Sequence, residues 1–267
     1  MSSIVTDQGI VHYEAYGRGQ PVILLHGWLG SWGYWLGTME TLKRQYRCYA
    51  LDFWGFGDSG KRRSSYQIMD FVNLVDQFMG RLGIDAAPIV GHSMGGTVAV
   101  CLALTKPERV KRVIVVDSPI AGNSLNIFLR LAGKPWVANI VWHLPVMLKF
   151  GIKLFSPFIV KDWPNWYQMI TRDLSSTTLE AFFSSINSLH QTDLRVELSN
   201  VNTPIMGIYG VGDNVVAPSQ ANVIMRNALM PRIKMMKDCK HFPMLDAPQA
   251  FNSSLADFLA WEFAHPV

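Results

Sequence analysis

The chain has 267 residues, of which 49% are hydrophobic and 16% are charged. This composition predicts a packed globular protein and excludes an intrinsically disordered one. The formal net charge of +4 is mild, and apart from residues 61–63 the basic side chains are scattered, so we expect no nucleic-acid partner. Cys48, Cys101 and Cys239 are far apart and outside any zinc-like spacing. We therefore expect neither a disulfide framework nor a metal or other cofactor.

The chain shows no sign of a targeting or membrane segment. Its first seven residues lack the basic start and apolar core of a signal peptide. The longest uncharged run of its apolar middle, between Lys134 and Lys149, is too short to span a bilayer and contains prolines. We therefore expect a cytoplasmic protein.

The first 120 residues alternate between predicted strands and helices. A hairpin is predicted over residues 4–16, and the apolar runs at residues 21–25, 48–51 and 113–116 are typical of buried parallel strands. Helices are predicted over residues 31–46 and 66–82. Alternation of this kind indicates an α/β protein with a doubly wound, mostly parallel sheet.

A serine between two glycines separates the next strand from the next helix. The chain reads Gly91-His92-Ser93-Met94-Gly95 between an apolar run and a helical segment. Glycine at positions 91 and 95 permits a sharp turn with the serine at its tip, because a side chain there would collide with the neighbouring strand or helix. The start of the following helix also favours negative charge. The pattern predicts that Ser93 is a nucleophile.

The alternation stops after Ile120. The segment that follows is rich in large apolar side chains, and four prolines are expected to divide it into short helices: Pro135, Pro145, Pro157 and Pro164. Strands at residues 204–209 and 233–236 and helices at 219–229 and 248–263 then resume the pattern. We therefore predict a core domain of residues 1–120 and 196–267, with a helical cap of residues 121–195 inserted after the strand that ends at Val116.

An activated serine needs a base, and the base needs an acid that orients it. His241 is the favoured base because it follows a short strand, in a loop at the sheet edge where α/β proteins bind ligands. Two acids follow strands that end at the same edge, Asp213 and Asp117. We favour Asp213, because its loop follows the strand nearest in sequence to the one before His241, and Asp117 remains the alternative.

Five ordered motifs carry a family resemblance: His26-Gly27-Trp28-Leu29-Gly30, Asp52-x-x-Gly55-x-Gly57-x-Ser59, Gly91-His92-Ser93-Met94-Gly95-Gly96, Gly210-x-x-Asp213 and His241-Phe242-Pro243. Outside the cap, the chain resembles the lid-bearing serine hydrolases of the α/β-hydrolase fold, a group that includes carboxylesterases, lipases, carbon–carbon bond hydrolases and cofactor-free haloperoxidases. The resemblance implies a sheet of about eight strands with an inserted helical cap.

The resemblance also implies a role for each residue of the site. Ser93 would attack a carbonyl carbon, His241 would move the proton, and Asp213 would hold the imidazole. The main-chain N–H groups of Trp28 and Met94 would bind the oxyanion.

The remaining histidines of these motifs have other expected tasks: His26 braces its loop and His92 packs. Relatives of this fold that open epoxides or remove halide carry an aspartate as nucleophile, so Ser93 favours acyl chemistry.

The loops at this edge and the cap supply candidates for a substrate pocket: Trp54, Trp136, Trp142, Trp163 and Phe242. We predict a serine hydrolase that cleaves carboxylic esters with an apolar acyl or alcohol part through an acyl-enzyme on Ser93. The same triad fits carbon–carbon bond hydrolysis, thioester hydrolysis or acyl transfer, and a non-catalytic small-molecule receptor is a further alternative. The apolar and basic residues of 142–158 also predict a weak contact between the cap and a membrane or lipid surface.

Overall fold

The computed structural model describes residues 2–7, 9–61, 65–132, 134 and 143–261. The strands are β1 Ser2–Thr6, β2 Gly9–Gly17, β3 Gln20–Leu25, β4 Tyr46–Leu51, β5 Ala87–His92, β6 Val110–Val116, β7 Ile205–Gly210 and β8 Pro231–Met236. They form one eight-stranded sheet in the order β1-β2-β4-β3-β5-β6-β7-β8. The pairs β1–β2 and β2–β4 are antiparallel and the others are parallel, which confirms the predicted architecture.

The described helices are α1 Leu36–Leu42, α2 Ile68–Arg81, α3 Met94–Thr105, α4 Ile127–Ala132, α5 Pro145–Ile159, α6 Trp163–Ser176, α7 Leu179–Gln191, α8 Gln220–Asn227, α9 Pro243–Asp246 and α10 Pro248–Ala260. The helix predicted over residues 31–46 is shorter than expected. A 3₁₀ turn at Trp32–Trp35 precedes α1, and β4 already begins at Tyr46. Within the described ranges, every helix falls short of the length and apolar character that a membrane span requires.

The centre of the sheet forms the core that carries the site. Every residue of β5 is buried, and so is β3 from Val22 to Leu25. The helix that follows β5 is apolar on all sides and is buried from Met94 to Ala103, as a helix enclosed by other elements must be. Each fully buried Val, Leu or Ile of these elements contributes about 1.5–3 kcal/mol to folding. The turn between β5 and α3 is therefore mounted on two elements that are almost completely buried.

Four of the described helices, α4 to α7, lie between β6 and β7 in the chain. Hydrogen bonds join them to loops that follow the strands: the indole N–H of Trp28 donates to the Phe182 carbonyl at 2.9 Å, and the His241 N–H donates to the Ile159 carbonyl at 3.0 Å. Pro145 and Pro164 lie in the first turns of α5 and α6. The prediction that Pro157 ends a helix is wrong: it lies inside the last turn of α5, where little helix remains for a proline to interrupt.

Candidate active site

Ser93 lies at the tip of the turn between β5 and α3, with φ +50° and ψ −118°. A positive φ is strained for a residue with a side chain and costs on the order of 1–3 kcal/mol. The surrounding structure maintains this conformation, because the Ser93 N–H donates to the Val116 carbonyl of β6 at 2.8 Å. In the described part of the chain, the other non-glycine residues with positive φ are Leu29 and Asp117. Ser93 and Asp117 directly follow β5 and β6, and Leu29 lies in the loop after β3. All three therefore lie at the edge of the sheet where these parallel strands end.

Glycine is required on both sides of this serine. A Cβ at Gly91 would lie 2.2 Å from the carbonyl of Gly95, and a Cβ at Gly95 would lie 2.5 Å from the carbonyl oxygen of Leu25. Both distances are far below van der Waals contact, and both involve backbone atoms that cannot move aside. The close approach of α3 to the strands therefore depends on these two glycines.

His241 and Asp213 lie in the loops after β8 and β7 and form a hydrogen bond. The His241 Nδ1–H donates to Asp213 Oδ2 at 2.8 Å, and both side chains are buried. Asp213 Oδ1 accepts the N–H groups of Val215 at 2.7 Å and Val216 at 3.1 Å. Three donors therefore hold this carboxylate in one orientation, and an imidazole that donates from Nδ1 keeps the lone pair on Nε2 available.

Asp117, the alternative acid, lies beside Asp213 and does not contact the histidine. It is fully buried after β6, and its Oδ1 accepts the Gly210 N–H at 2.9 Å. Burial, followed by the negative charge of Asp213, raises the pKa of Asp117 well above its usual range. A neutral Asp117 avoids two adjacent buried negative charges.

His92, inside the turn, supports the loop that carries His241. Its Nε2–H donates to the main-chain carbonyl of His241 at 2.8 Å, and its ring lies 4.5 Å from that of Phe242, centroid to centroid. Burial, with the nearby His241, lowers the pKa of His92 well below its ordinary value. His92 is therefore a neutral packing residue, as expected.

His26 and Asp52 organise the loops after β3 and β4. The Nδ1–H of His26 donates to the Gly27 carbonyl at 2.7 Å, and Nε2 accepts the Phe53 N–H at 2.9 Å, so both ring nitrogens are occupied. Asp52 accepts the Trp32 N–H at 2.7 Å and the His12 Nδ1–H at 2.9 Å. The first two motifs of the resemblance are therefore loop-bracing devices rather than proton-transfer groups.

The main-chain N–H groups of Trp28 and Met94 lie at this edge and have no acceptor among the described residues. Met94 begins α3, where the first N–H groups of a helix have no intrahelical partner. Within the described ranges, neither the Met94 N–H nor the Trp28 N–H donates to a protein group. Gly27 lets the Trp28 loop approach, because a Cβ there would lie 2.8 Å from His92 Nδ1 and 3.0 Å from Ser93 Cβ.

A cavity of about 840 Å³ opens above the turn. Its wall includes Ser93, His92 and His241 together with side chains from α4 to α7, and its described residues include no Asp, Glu, Lys or Arg. In the part of the chain that the structure describes, no hydrogen bond joins the Ser93 hydroxyl to His241. Such bonds tighten when a substrate is bound. The cavity therefore brings a strained serine, an oriented imidazole and an uncharged binding space together.

The predicted pocket residues divide into three groups. Phe242 lines the cavity. Trp54 and Trp163 do not: Trp54 is fully buried in the core, and Trp163 is half-buried in the first turn of α6. Trp136 and Trp142 lie outside the described residues. The aromatic residues that do line the cavity besides Phe242 are Trp28, Trp166, Phe182, Phe155 and Phe158.

The sequence reasoning missed two polar residues of the wall, Asn126 and Asn214. Asn126 Nδ2 donates to the Asn214 carbonyl at 3.0 Å, and Asn214 Nδ2 donates to the Phe158 carbonyl at 3.2 Å. These bonds join the helical segment to the loop of Asp213. The position of Asn214 directly after the predicted acid was the available signal.

The chain is similar to known proteins along most of its length. Residues 20–204 match the family model of the alpha/beta hydrolase fold. The pimeloyl-[acyl-carrier protein] methyl ester esterase of Nitrosomonas europaea is 26% identical over 260 residues, which cover 91% of this chain and 97% of that protein.

Two solved structures share the fold along the chain. A hydrolase from Pseudomonas aeruginosa PA01 has a TM-score of 0.84 at 21% identity, covering 97% of this chain and 98% of its own. The enol-lactonase from Burkholderia xenovorans LB400 has a TM-score of 0.83 at 20% identity, covering 97% and 100%. The protein belongs to the α/β-hydrolase fold family.

Proposed function

We propose that this α/β-hydrolase is a serine hydrolase that cleaves carboxylic esters with an apolar acyl or alcohol part through an acyl-enzyme on Ser93. One observation carries the proposal. Ser93, in a strained turn, and His241, held by Asp213 at 2.8 Å, line the same uncharged cavity of about 840 Å³.

The first step forms the acyl-enzyme. Ser93 Oγ bonds to the ester carbonyl carbon while its proton passes to His241 Nε2, and the carbonyl π electrons move onto oxygen. Asp213 stabilises the imidazolium that results, because its carboxylate already accepts the Nδ1–H. The tetrahedral intermediate then collapses, the carbon–oxygen bond to the alcohol breaks, and the alcohol leaves with the proton from Nε2.

The oxyanion of this intermediate needs two donors. The N–H groups of Trp28 and Met94 are free for this purpose, and Met94 adds the positive end of the α3 dipole. Loss of one such donor typically costs about 3–4 kcal/mol of transition-state stabilisation.

The second step releases the acid. Water gives a proton to His241 Nε2 and attacks the acyl carbon, the oxyanion forms again at the same donors, and the proton returns to Ser93 as its bond to carbon breaks. Ester and water are converted into carboxylic acid and alcohol.

The cavity wall supports an apolar substrate. Among the described residues, the side chains of the wall other than Ser93, the two histidines, Asn126 and Asn214 are aliphatic or aromatic, apart from Gly151. A charged group in this space would lose its hydration without a partner. The relative from Nitrosomonas europaea is named as a methyl ester esterase. This favours ester cleavage over the other reactions that the same triad could catalyse.

The test is a series of p-nitrophenyl esters and matched thioesters, from acetyl to dodecanoyl, assayed with the wild type and Ser93→Ala. We expect turnover that rises with acyl length, loss of turnover in Ser93→Ala, and labelling of wild type alone by a fluorophosphonate. Turnover confined to charged esters would refute the substrate class, and unchanged hydrolysis by Ser93→Ala would refute the nucleophile. A preference for thioesters would assign the reaction differently while keeping the triad.

A further inference from the structure

Helix α5 exposes an unusual amount of apolar surface. Val146, Phe150, Leu154 and Phe158 are spaced four residues apart and are 79%, 67%, 57% and 59% exposed. Side chains at this spacing form a continuous ridge along one side of a helix. A ridge of this size on a water-facing surface marks an interaction site rather than scattered exposure.

The ridge is continuous with the cavity. Six residues both line the cavity and are more than a third exposed: Ile127, Leu131, Leu144, Met147, Phe155 and Phe158. Through these six residues the apolar wall passes into the exposed surface of α4 and α5. An apolar chain bound in the cavity and an apolar phase outside the protein would meet at this opening.

The chain segment that carries this surface has charges of one sign. Between Asp117 and Asp162 the sequence contains no Asp or Glu, while Arg130, Lys134, Lys149, Lys153 and Lys161 are distributed through it. Lys149 and Lys153 are exposed and flank the ridge on α5, and neither has an ion-pair partner within the described ranges.

We propose that the α5 ridge, with Lys149 and Lys153, docks on a phospholipid bilayer that contains anionic lipid, so that acyl chains pass from the bilayer into the cavity. The ridge supplies the apolar face of an interfacial helix and the lysines supply attraction to anionic headgroups. Because the cavity opens inside this surface, the inference rests in part on the proposed function and deepens it: the substrates are acyl esters that partition into lipid.

The structure also discriminates against an acidic protein as the partner. On a docking site for an acidic protein, cationic side chains would make up most of the exposed surface. Here the most exposed side chains are Val, Met, Phe and Leu, and the cations lie beside them. The apolar contact is therefore the larger part of the interface.

Co-sedimentation with vesicles tests the docking without any chemistry. Ser93→Ala protein is mixed with vesicles of phosphatidylcholine alone or of phosphatidylcholine with phosphatidylglycerol. We expect binding to the anionic vesicles and a loss of at least about tenfold for Phe150→Asp/Leu154→Asp. The matched control is Val196→Asp/Met225→Asp, two exposed apolar residues outside the cavity wall, which should bind like the parent.

A second set of variants tests the role of charge. Lys149→Glu/Lys153→Glu changes the two lysines beside the ridge. Lys234→Glu/Lys237→Glu is the control, with the same change in net charge at exposed positions of β8 and the turn that follows it. The first pair should lose about fivefold or more per lysine on anionic vesicles, and the second pair should lose much less. Added salt should weaken the parent's binding.

Three results would overturn the docking. The first is no binding of the parent to anionic vesicles, and the second is equal binding by Phe150→Asp/Leu154→Asp and its control. The third is binding to a purified acidic carrier protein that Phe150→Asp/Leu154→Asp leaves unchanged. In otherwise wild-type protein, Phe150→Asp/Leu154→Asp should lower hydrolysis of vesicle-bound esters about tenfold and leave hydrolysis of a soluble acetyl ester intact. Vesicle binding without any ester turnover by wild type would instead refute the proposed function and leave the docking standing.

Discussion

Asp213→Asn removes the charge that orients the imidazole while keeping the size of the side chain. Asp213 Oδ1 accepts two N–H groups, from Val215 at 2.7 Å and Val216 at 3.1 Å. In the variant, the amide oxygen takes this place because the NH₂ group cannot accept a hydrogen bond. The NH₂ group then faces His241 Nδ1, where the structure has a carboxylate oxygen at 2.8 Å.

Two donors cannot face each other, so the proton of His241 must move to Nε2. An imidazole with its proton on Nε2 cannot accept the proton of Ser93. We expect kcat to fall by about 10⁴, which corresponds to about 5 kcal/mol of transition-state stabilisation. The fold should persist, since the amide retains the two bonds to the loop.

The assay is kcat and KM on a p-nitrophenyl acyl ester, with thermal unfolding of each variant measured alongside. Asp117→Asn is the matched control: an asparagine there still accepts the Gly210 N–H, and burial raises the pKa of Asp117 well above its usual range, which favours its neutral form. Its activity should stay near that of wild type. If Asp117→Asn lost activity and Asp213→Asn kept it, Asp117 would be the acid and the reasoning from the hydrogen bond would be refuted.

Three further outcomes follow from single contacts. Gly91→Ala should lower the free energy of unfolding by about 3 kcal/mol or more, because its Cβ would lie 2.2 Å from backbone. Gly37→Ala, in open space on α1, should instead be neutral or gain up to about 1 kcal/mol; similar denaturant midpoints for the two would contradict the clash. Burial raises the pKa of Asp173 to about 6, so its contribution is greatest below its unfolded pKa and is lost as the pH rises through 6. From pH 4.5 to 7, the free energy of unfolding in urea should therefore fall by about 2 kcal/mol more for wild type than for Asp173→Asn. Parallel pH curves for the two proteins would contradict the raised pKa of Asp173. Gly151→Leu, which adds bulk to the cavity wall, should lower the dodecanoyl-to-acetyl ratio of kcat/KM about tenfold; an unchanged ratio would show that acyl chains bind elsewhere.

The fold was predictable because its signals are local. Apolar runs bounded by turn residues predicted the parallel strands, and the pattern around Ser93 predicted a tight turn whose glycines the structure shows against backbone at 2.2 Å and 2.5 Å. The Gly91 contact acts between residues four positions apart, whereas the Gly95 contact, to Leu25, exists only once the strands have paired. The helical segment was less predictable: Pro157 lies within α5, because a proline near a helix end costs few hydrogen bonds.

The pocket was harder to predict than the turn. Trp54 and Trp166 are alike as sequence signals, since both are large apolar residues in segments near the same edge. Only the structure buries Trp54 in the core and places Trp166 on the cavity wall. Which side of a loop or helix faces a cavity depends on how the elements pack, and packing is not encoded in the type of one residue.

The sequence by itself determined the doubly wound sheet, the sharp turn at Ser93 and the set of residues that strand ends deliver to one edge. Only the tertiary structure decided which acid touches the histidine, because Asp213 and Asp117 both follow parallel strands and differ in the direction of their side chains. It also decided that the α5 ridge faces water and continues into the cavity. The physical reason is the same in both cases. Backbone propensity and local sterics act along the chain, whereas a hydrogen bond between residues 28 positions apart or an exposed apolar face exists only once the elements have packed.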